Sequence, residues 1–262
     1  MFMIAIATLT SSAATPHTLD KKVTQVQIQA VEGDIRVEVD ASARRIVVET
    51  RDRRPGHTCA LELETSRDQA VLTFGPKSLE LATECRMDFT VRLRPDDGLA
   101  IALGSGQVDV REVATDLRVA VTEGDVRLSD VGSVHVVVGH GDIALSNVNG
   151  SADLSLEKGR IHGNPRGAVK ASVGEGHIHL DELDAPVSAQ THVGNIQLTY
   201  LSVPRGDLNL NAGLGNIVVD FPRGTAVQPD LTAAGGSATC DLPFGTDLSV
   251  NAVAGMGSIL LR

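Results

Sequence analysis

The chain has 262 residues, enough for one or two domains and a sizeable core. Five Phe, one Tyr and no Trp leave it almost without rings, which argues against an aromatic-anchored core, a carbohydrate platform and a base-stacking surface. Lys plus Arg number 23 and Asp plus Glu 33, a net charge of −10, so nucleic acid and anionic lipid are poor partners.

The first predicted element is an address. Met1 to Leu9 is a short apolar run, and Ser12-Ala13-Ala14 has the small residues of a cleavage site. Residues 1–14 are read as a signal peptide, although no Lys or Arg precedes the apolar run. Nothing else approaches the roughly 18 apolar residues of a membrane span, so no transmembrane segment is expected.

Residues 15–98 read as irregular β opening coils or a cap. Val23 to Ile28, Arg45 to Glu49 and Leu61 to Glu64 all alternate. Cys59 alternates with Leu61 and Leu63, and Cys85 with Met87, Phe89, Val91 and Leu93. Both thiols thus point to the apolar side of their strands. A Cys59–Cys85 disulfide and two buried free thiols are equally compatible with that pattern.

From residue 99 to 262 a repeat dominates. A Gly, a polar residue, an aliphatic residue, any residue and a second aliphatic recur from Gly positions 106, 124, 141, 159, 176, 194, 215, 236 and 257. The spacings are 18, 17, 18, 17, 18, 21, 21 and 21, and an outlying copy begins at Gly33. The second residue after the Gly reads Val108, Val126, Ile143, Ile161, Ile178, Ile196, Ile217, Ala238, Ile259. The fourth column includes Val110, Leu128, Leu145, Leu180, Leu198, Val219, Cys240 and Leu261. Period-two alternation points both columns inward, which makes Cys240 a core thiol. The first and third positions are mostly polar and face water. Each repeat holds a second such strand, for example Leu117 to Val121, Val134 to Val138 and Ala152 to Leu156.

A unit this short cannot bury its own apolar face, whereas stacked units can. The predicted fold is an all-β solenoid with 17–21-residue coils and an irregular N-terminal cap. Nine coils at about 4.8 Å each make a rod roughly 43 Å long. The chain stops inside the last repeat's strand at Ile259-Leu260-Leu261-Arg262, and charge thins from Gly206 onward. That predicts an open C-terminal edge, either available to another chain or a second copy or simply a last strand folded back as an edge.

The strands Gly124-Asp125-Val126-Arg127-Leu128 and Gly141-Asp142-Ile143-Ala144-Leu145 carry a resemblance, with the segment from Cys85 to Pro95 that leads into Leu103-Gly104-Ser105-Gly106. Over roughly residues 20–262 the chain resembles the bacterial putative-adhesin family of β-strand-repeat proteins, a domain of unknown function related to the head domain called GIN. The resemblance implies a right-handed solenoid, exported or at the cell envelope. It brings no catalytic residues.

Two constellations could carry chemistry. His162 and His179 share the outward third position of adjacent coils, and His177 lies beside Arg160 in the first. Stacking brings such imidazoles to about 5 Å, close enough for one divalent metal. A solvated histidine ladder is the favoured reading, since outward positions accept any soluble residue and Arg160 repels a cation. Asp125 and Asp142 share the first outward column and could act as an acid pair on a sugar. No aromatic subsite accompanies them.

The expected function is a non-catalytic, exported solenoid, periplasmic or extracellular, with no cofactor. It presents a binding or adhesion surface to a protein or cell-surface partner through its sheet face or C-terminal edge. The alternatives are a self-assembling, bactofilin-like filament and a polysaccharide lyase or hydrolase.

Overall fold

The structure is a computed structural model describing residues 15–19, 22–52, 59–66, 68–76 and 86–262. The expected signal peptide at 1–14 lies outside these. The described residues form 23 strands and no helix. They divide into two compact units, Met1–Gly132 and Ser133–Arg262. Each is a β-solenoid.

The strands of the first unit are β1 (Thr15–Thr18), β2 (Gln25–Glu32), β3 (Ile35–Val39), β4 (Val47–Asp52), β5 (Cys59–Ser66), β6 (Gln69–Pro76), β7 (Met87–Leu93), β8 (Gly98–Ser105), β9 (Val108–Arg111), β10 (Leu117–Glu123) and β11 (Val126–Ser129). A regular coil is a long strand, a glycine corner and a short strand. β10 lies parallel on β8, with Val119 opposite Ile101, and β11 lies parallel on β9, with Val126 opposite Val108. Inward Val and Leu stack on their equivalents and are almost fully buried, each contributing about 1.5–3 kcal/mol.

Sequence order and spatial order differ here. β2 pairs with β8 on one side and β6 on the other. β3 likewise sits between β9 and β7. The coil nearest the N-terminus is therefore interposed between two later ones. Beyond it the parallel stack ends in antiparallel strands: β5 on β6, β4 on β7 and β1 on β4. The turn into β8 is fastened by the buried Asp97, which accepts hydrogen bonds from the Arg94 guanidinium and backbone N–H.

The second unit holds β12 (Val134–His140), β13 (Ile143–Ser146), β14 (Ala152–Asn164), β15 (Val169–Leu183), β16 (Val187–Val193), β17 (Ile196–Tyr200), β18 (Leu208–Leu214), β19 (Ile217–Asp220), β20 (Val227–Ala233), β21 (Ala238–Cys240), β22 (Phe244–Met256) and β23 (Ile259–Leu261). Ile143, Ile161, Ile178, Ile196 and Ile217 lie one above another in register, as the repeat predicts. All are at most 1% exposed.

The expected open edge at the C-terminal strand is corrected. β23 is not an edge: it pairs with β19 on one side and β21 on the other. β22 is likewise held between β18 and β20. The last coil in sequence has slipped beneath its predecessor, so β20 and β21 form the end of the stack. Burial explains the order. Leu248, Val250, Ile259 and Leu261 are covered almost completely inside the stack. At the matching inward positions the coil left outside offers Pro229, Leu231, Ala233, Ala238 and Cys240 against Val250, Ala252, Ala254, Ile259 and Leu261, and so has less apolar area to lose from water. Cys240 is accordingly half-buried, and Ala238 exposed, where alternation placed both in the core.

The glycine corner sets the coil spacing. Gly124 has φ +141° and Gly176 φ +145°, a region closed to ordinary side chains. A Cβ on either would lie 1.7 Å from the carbonyl oxygen of the corner glycine one coil below. Replacing Gly176 with Ala must therefore push two coils apart. The expected loss is at least about 3 kcal/mol in urea unfolding; an unchanged midpoint would contradict this packing.

Tyr200, the one tyrosine in the chain, is 4% exposed and stacks on Phe221 with ring centroids 5.2 Å apart. Its hydroxyl is buried with no hydrogen-bond partner among the described residues. Burial pushes the phenol well above the ordinary tyrosine range. The unfolded chain releases this proton near pH 10 and the folded chain does not, so stability is intact below that pH and falls above it. Absorbance titration should show no phenolate until unfolding begins. A reversible transition near pH 10 in the folded protein would refute the burial.

Candidate functional site

The residue after each corner glycine points outward, and its role is structural as well as polar. In the first unit Asp34 accepts the backbone N–H of Gln107, and Asp88, which follows Met87 and not a glycine, accepts that of Asp34, each at 3.1 Å. In the second unit Asp142 Oδ1 accepts from the backbone of Arg160 at 2.9 Å, and His177 Nδ1 from that of Asn195 at 3.0 Å. Asn195 and Asn216 then accept, each at 2.8 Å, from Asn216 and Ser258. Ser258 Oγ accepts from Ser237 N at 3.3 Å. An acceptor in this column thus bonds the backbone of the next coil. The sequence signal was visible as a run of Asp, Asn and His after Gly, but its purpose needed the register.

Arg160 departs from this pattern, since a guanidinium cannot accept. It reaches back to Asp142 at 2.8 Å. Burial disfavours the Asp142 carboxylate, but the side-chain and backbone hydrogen bonds from Arg160, with its charge, outweigh it and hold the carboxyl below its usual range.

The structure brings the three predicted histidines together. His162, His177 and His179 line one open groove of about 430 Å³ with Arg160, Asn195 and Gln197. Register places His162 opposite His179 and Arg160 opposite His177. Two of the imidazoles are already engaged. His177 spends Nδ1 on the Asn195 backbone, and His179 Nε2 lies 2.8 Å from Asp181 Oδ2. Among the described residues no three His, Cys, Asp or Glu side chains converge on a metal position. The groove offers hydrogen-bond donors and acceptors on a flat polar strip.

Asp125 and Asp142 fall in different units. Each has its own arginine: Asp125 lies 3.4 Å from Arg127, and Asp142 is held as above. Cys85 lies outside the described residues, and with it the expected Cys59–Cys85 disulfide.

Sequence reasoning passed over the outward face of the first unit. Its β4, β7, β3, β9 and β11 strands interleave charge. Arg92 pairs with Glu49 at 2.7 Å and Arg111 with Asp109 at 2.8 Å, while Arg127 reaches Gln107 as well as Asp125. Asp34, Arg36, Glu49, Asp88, Asp109 and Arg127 line an open groove of about 440 Å³ here. The signal was present as alternating Arg and Asp or Glu within short strands, but register alone shows them adjacent across strands.

The acceptor column makes a direct prediction. His177→Asn keeps an acceptor of the kind found at Asn195 and Asn216, and should leave stability within about 0.5 kcal/mol. His177→Leu orphans the Asn195 N–H and should cost about 1 kcal/mol. Equal urea midpoints for the two variants would dismiss the ladder.

Among solved structures, a "putative adhesin" from Parabacteroides distasonis ATCC 8503 is 12% identical, with 95% of this chain and 96% of that one covered and a TM-score of 0.49. A "putative adhesin" from Parabacteroides merdae ATCC 43184 is 12% identical over 95% of each chain, at a TM-score of 0.44. A "putative cell adhesion protein" from Clostridium sporogenes ATCC 15579 is 10% identical, with 95% and 98% covered and a TM-score of 0.32. No curated protein matches the chain. The family model described as Toastrack DUF4097 matches residues 87–251, well over half of the sequence. Its span takes in strands of both units, and the chain belongs to the Toastrack DUF4097 family.

Proposed function

We propose that this chain is a non-catalytic binding module, exported to the cell envelope, whose working surface is the outward sheet face of the solenoid. In this reading residues 1–14 direct export, and the antiparallel strands β1, β4 and β5 cap the coils behind them.

The observation that carries the reading is the interleaved charge over β4, β7, β3, β9 and β11. Flat faces of alternating sign suit a partner with matching charges, and they set specificity and association rate more than raw affinity. The engagement of the carboxylates supports a non-catalytic role. Asp142 is fixed by Arg160 and Asp125 by Arg127, whereas acid–base work on a sugar needs carboxyl groups aimed at a substrate.

Two measurements test it. Residues 1–30 fused to a phosphatase that is active only after export should give active enzyme, and a cytosolic, inactive fusion would overturn the envelope assignment. Beads coated with the full chain should be retained on purified envelopes of the host bacterium. The triple variant Arg36→Ser, Arg111→Ser, Arg127→Ser should lose about tenfold in retention. Its stability should change little, since exposed ion pairs contribute about 0–1 kcal/mol each. Equal retention by the variant would remove this face from the function.

A further inference from the structure

The two stack ends described above are finished differently. In the first unit the parallel coils are covered by antiparallel strands. In the second, β20 pairs with β22 and β21 with β23, and among the described residues no strand lies on their other side. This end also exposes core. Leu231, Ala233, Cys240 and Leu242 are half-buried and Ala238 is exposed. The matching Leu210, Ala212, Ile217 and Val219 of an interior coil are at most 3% exposed. Phe244, 75% exposed, stands beside Val227 at the same end. A solenoid end that leaves apolar side chains and backbone groups open needs a cover.

The direction of the open backbone groups follows from the bonds already made. Ala234 N–H donates to Ala254 O, and Asp241 N–H donates to Leu261 O, so both face inward along the stack. Strand alternation then turns the N–H groups of Leu231, Ala233, Ala238 and Cys240 toward the free edge. Position 229 also faces that edge, but it is Pro and has no N–H to give.

We infer that a second copy of this chain covers this end, β20 and β21 of one copy meeting β20 and β21 of the other about a two-fold axis. Charge selects this occupant. β20 carries one charged residue, Asp230, and β21 none, so two such edges meet with little repulsion and bury like against like. Contact with the first unit's cap in another copy would instead bring Asp230 toward β5, which among the described residues pairs with β6 alone and carries exposed Glu62 and Glu64. That approach sets carboxylates against carboxylates. Pro229 interrupts any long continuous ladder along the edge. A two-fold contact uses the same patch twice and closes, so the assembly stops at two copies.

The test is sedimentation of the full chain from about 1 to 200 µM, a span that brackets a micromolar dimer, with amide hydrogen exchange on the same samples. Dimers should form as concentration rises, and the amides of residues 231, 233, 238 and 240 should gain protection together. Ala238→Arg adds a cation at an exposed position, which the monomer tolerates. It should shift the dimer constant at least tenfold toward monomer with the circular dichroism unchanged. Asp230→Asn, which removes the one charge on the edge, should strengthen the dimer. A monomer throughout would overturn the inference. So would open-ended growth, or a dimer that Ala238→Arg leaves intact and whose protected amides lie elsewhere.

Discussion

The approach of one corner glycine to the carbonyl of the glycine beneath it sets the geometry of both units. At a positive φ the chain turns sharply from the long strand into the short one. With no Cβ at that turn, successive corners can close to the strand spacing of about 4.8 Å. Every other regularity follows. Once corners are stacked, the residue two places on lies over its equivalent, and a column of Ile becomes a continuous core. The residue one place on lies over its equivalent too, and its side chain can reach the backbone of the next coil. One steric requirement therefore fixes the apolar interior and the polar ladder together.

Hydrophobic burial then decides which coil occupies which level. The glycine repeat makes the coils nearly interchangeable, because each presents the same corner and the same strand lengths. Order along the stack is free to depart from order along the chain wherever a connection is long enough. Both units use that freedom. In the second unit the coil richer in Leu, Ile and Val lies inside, and the poorer one goes outside. This places Ile259 and Leu261 between aliphatic neighbours and leaves Ala238 and Cys240 at the margin. The C-terminal strand is protected as a result.

The outer surface has a chemistry set by its place on this frame. An aspartate after a corner glycine holds two coils together, so its identity is first a matter of hydrogen bonding between strands. His177 shows the same duty met by an imidazole. Residues farther from the corner are released from that duty, and there the two units diverge. The first carries interleaved Arg and Asp or Glu, which suits recognition of a charged partner. The second carries His, Asn and Gln around an open groove, where His179 keeps a carboxylate partner. Both grooves are open to solvent, which suits the binding role proposed for them.

Much of this was legible in the sequence alone. Nine glycines at near-constant spacing, with aliphatics two and four residues beyond, require a stacked β architecture, because units so short have no other way to bury them. The inward columns from Val108 to Ile217 follow from period-two alternation, and so does the grouping of His162, His177 and His179. The resemblance to the putative-adhesin family of β-strand-repeat proteins rests on the same strands. Three matters needed the tertiary structure. Periodicity says that coils stack but not in what order, since identical corners fit any neighbour; hence Leu261 is buried and Cys240 is half-open. Alternation says that Asp142 and His177 face outward but not that they accept backbone hydrogen bonds, which depends on the level of the adjacent coil. Composition gives the amount of charge but not its arrangement, because Arg92 and Glu49 are distant in sequence and become neighbours only where β4 runs antiparallel to β7.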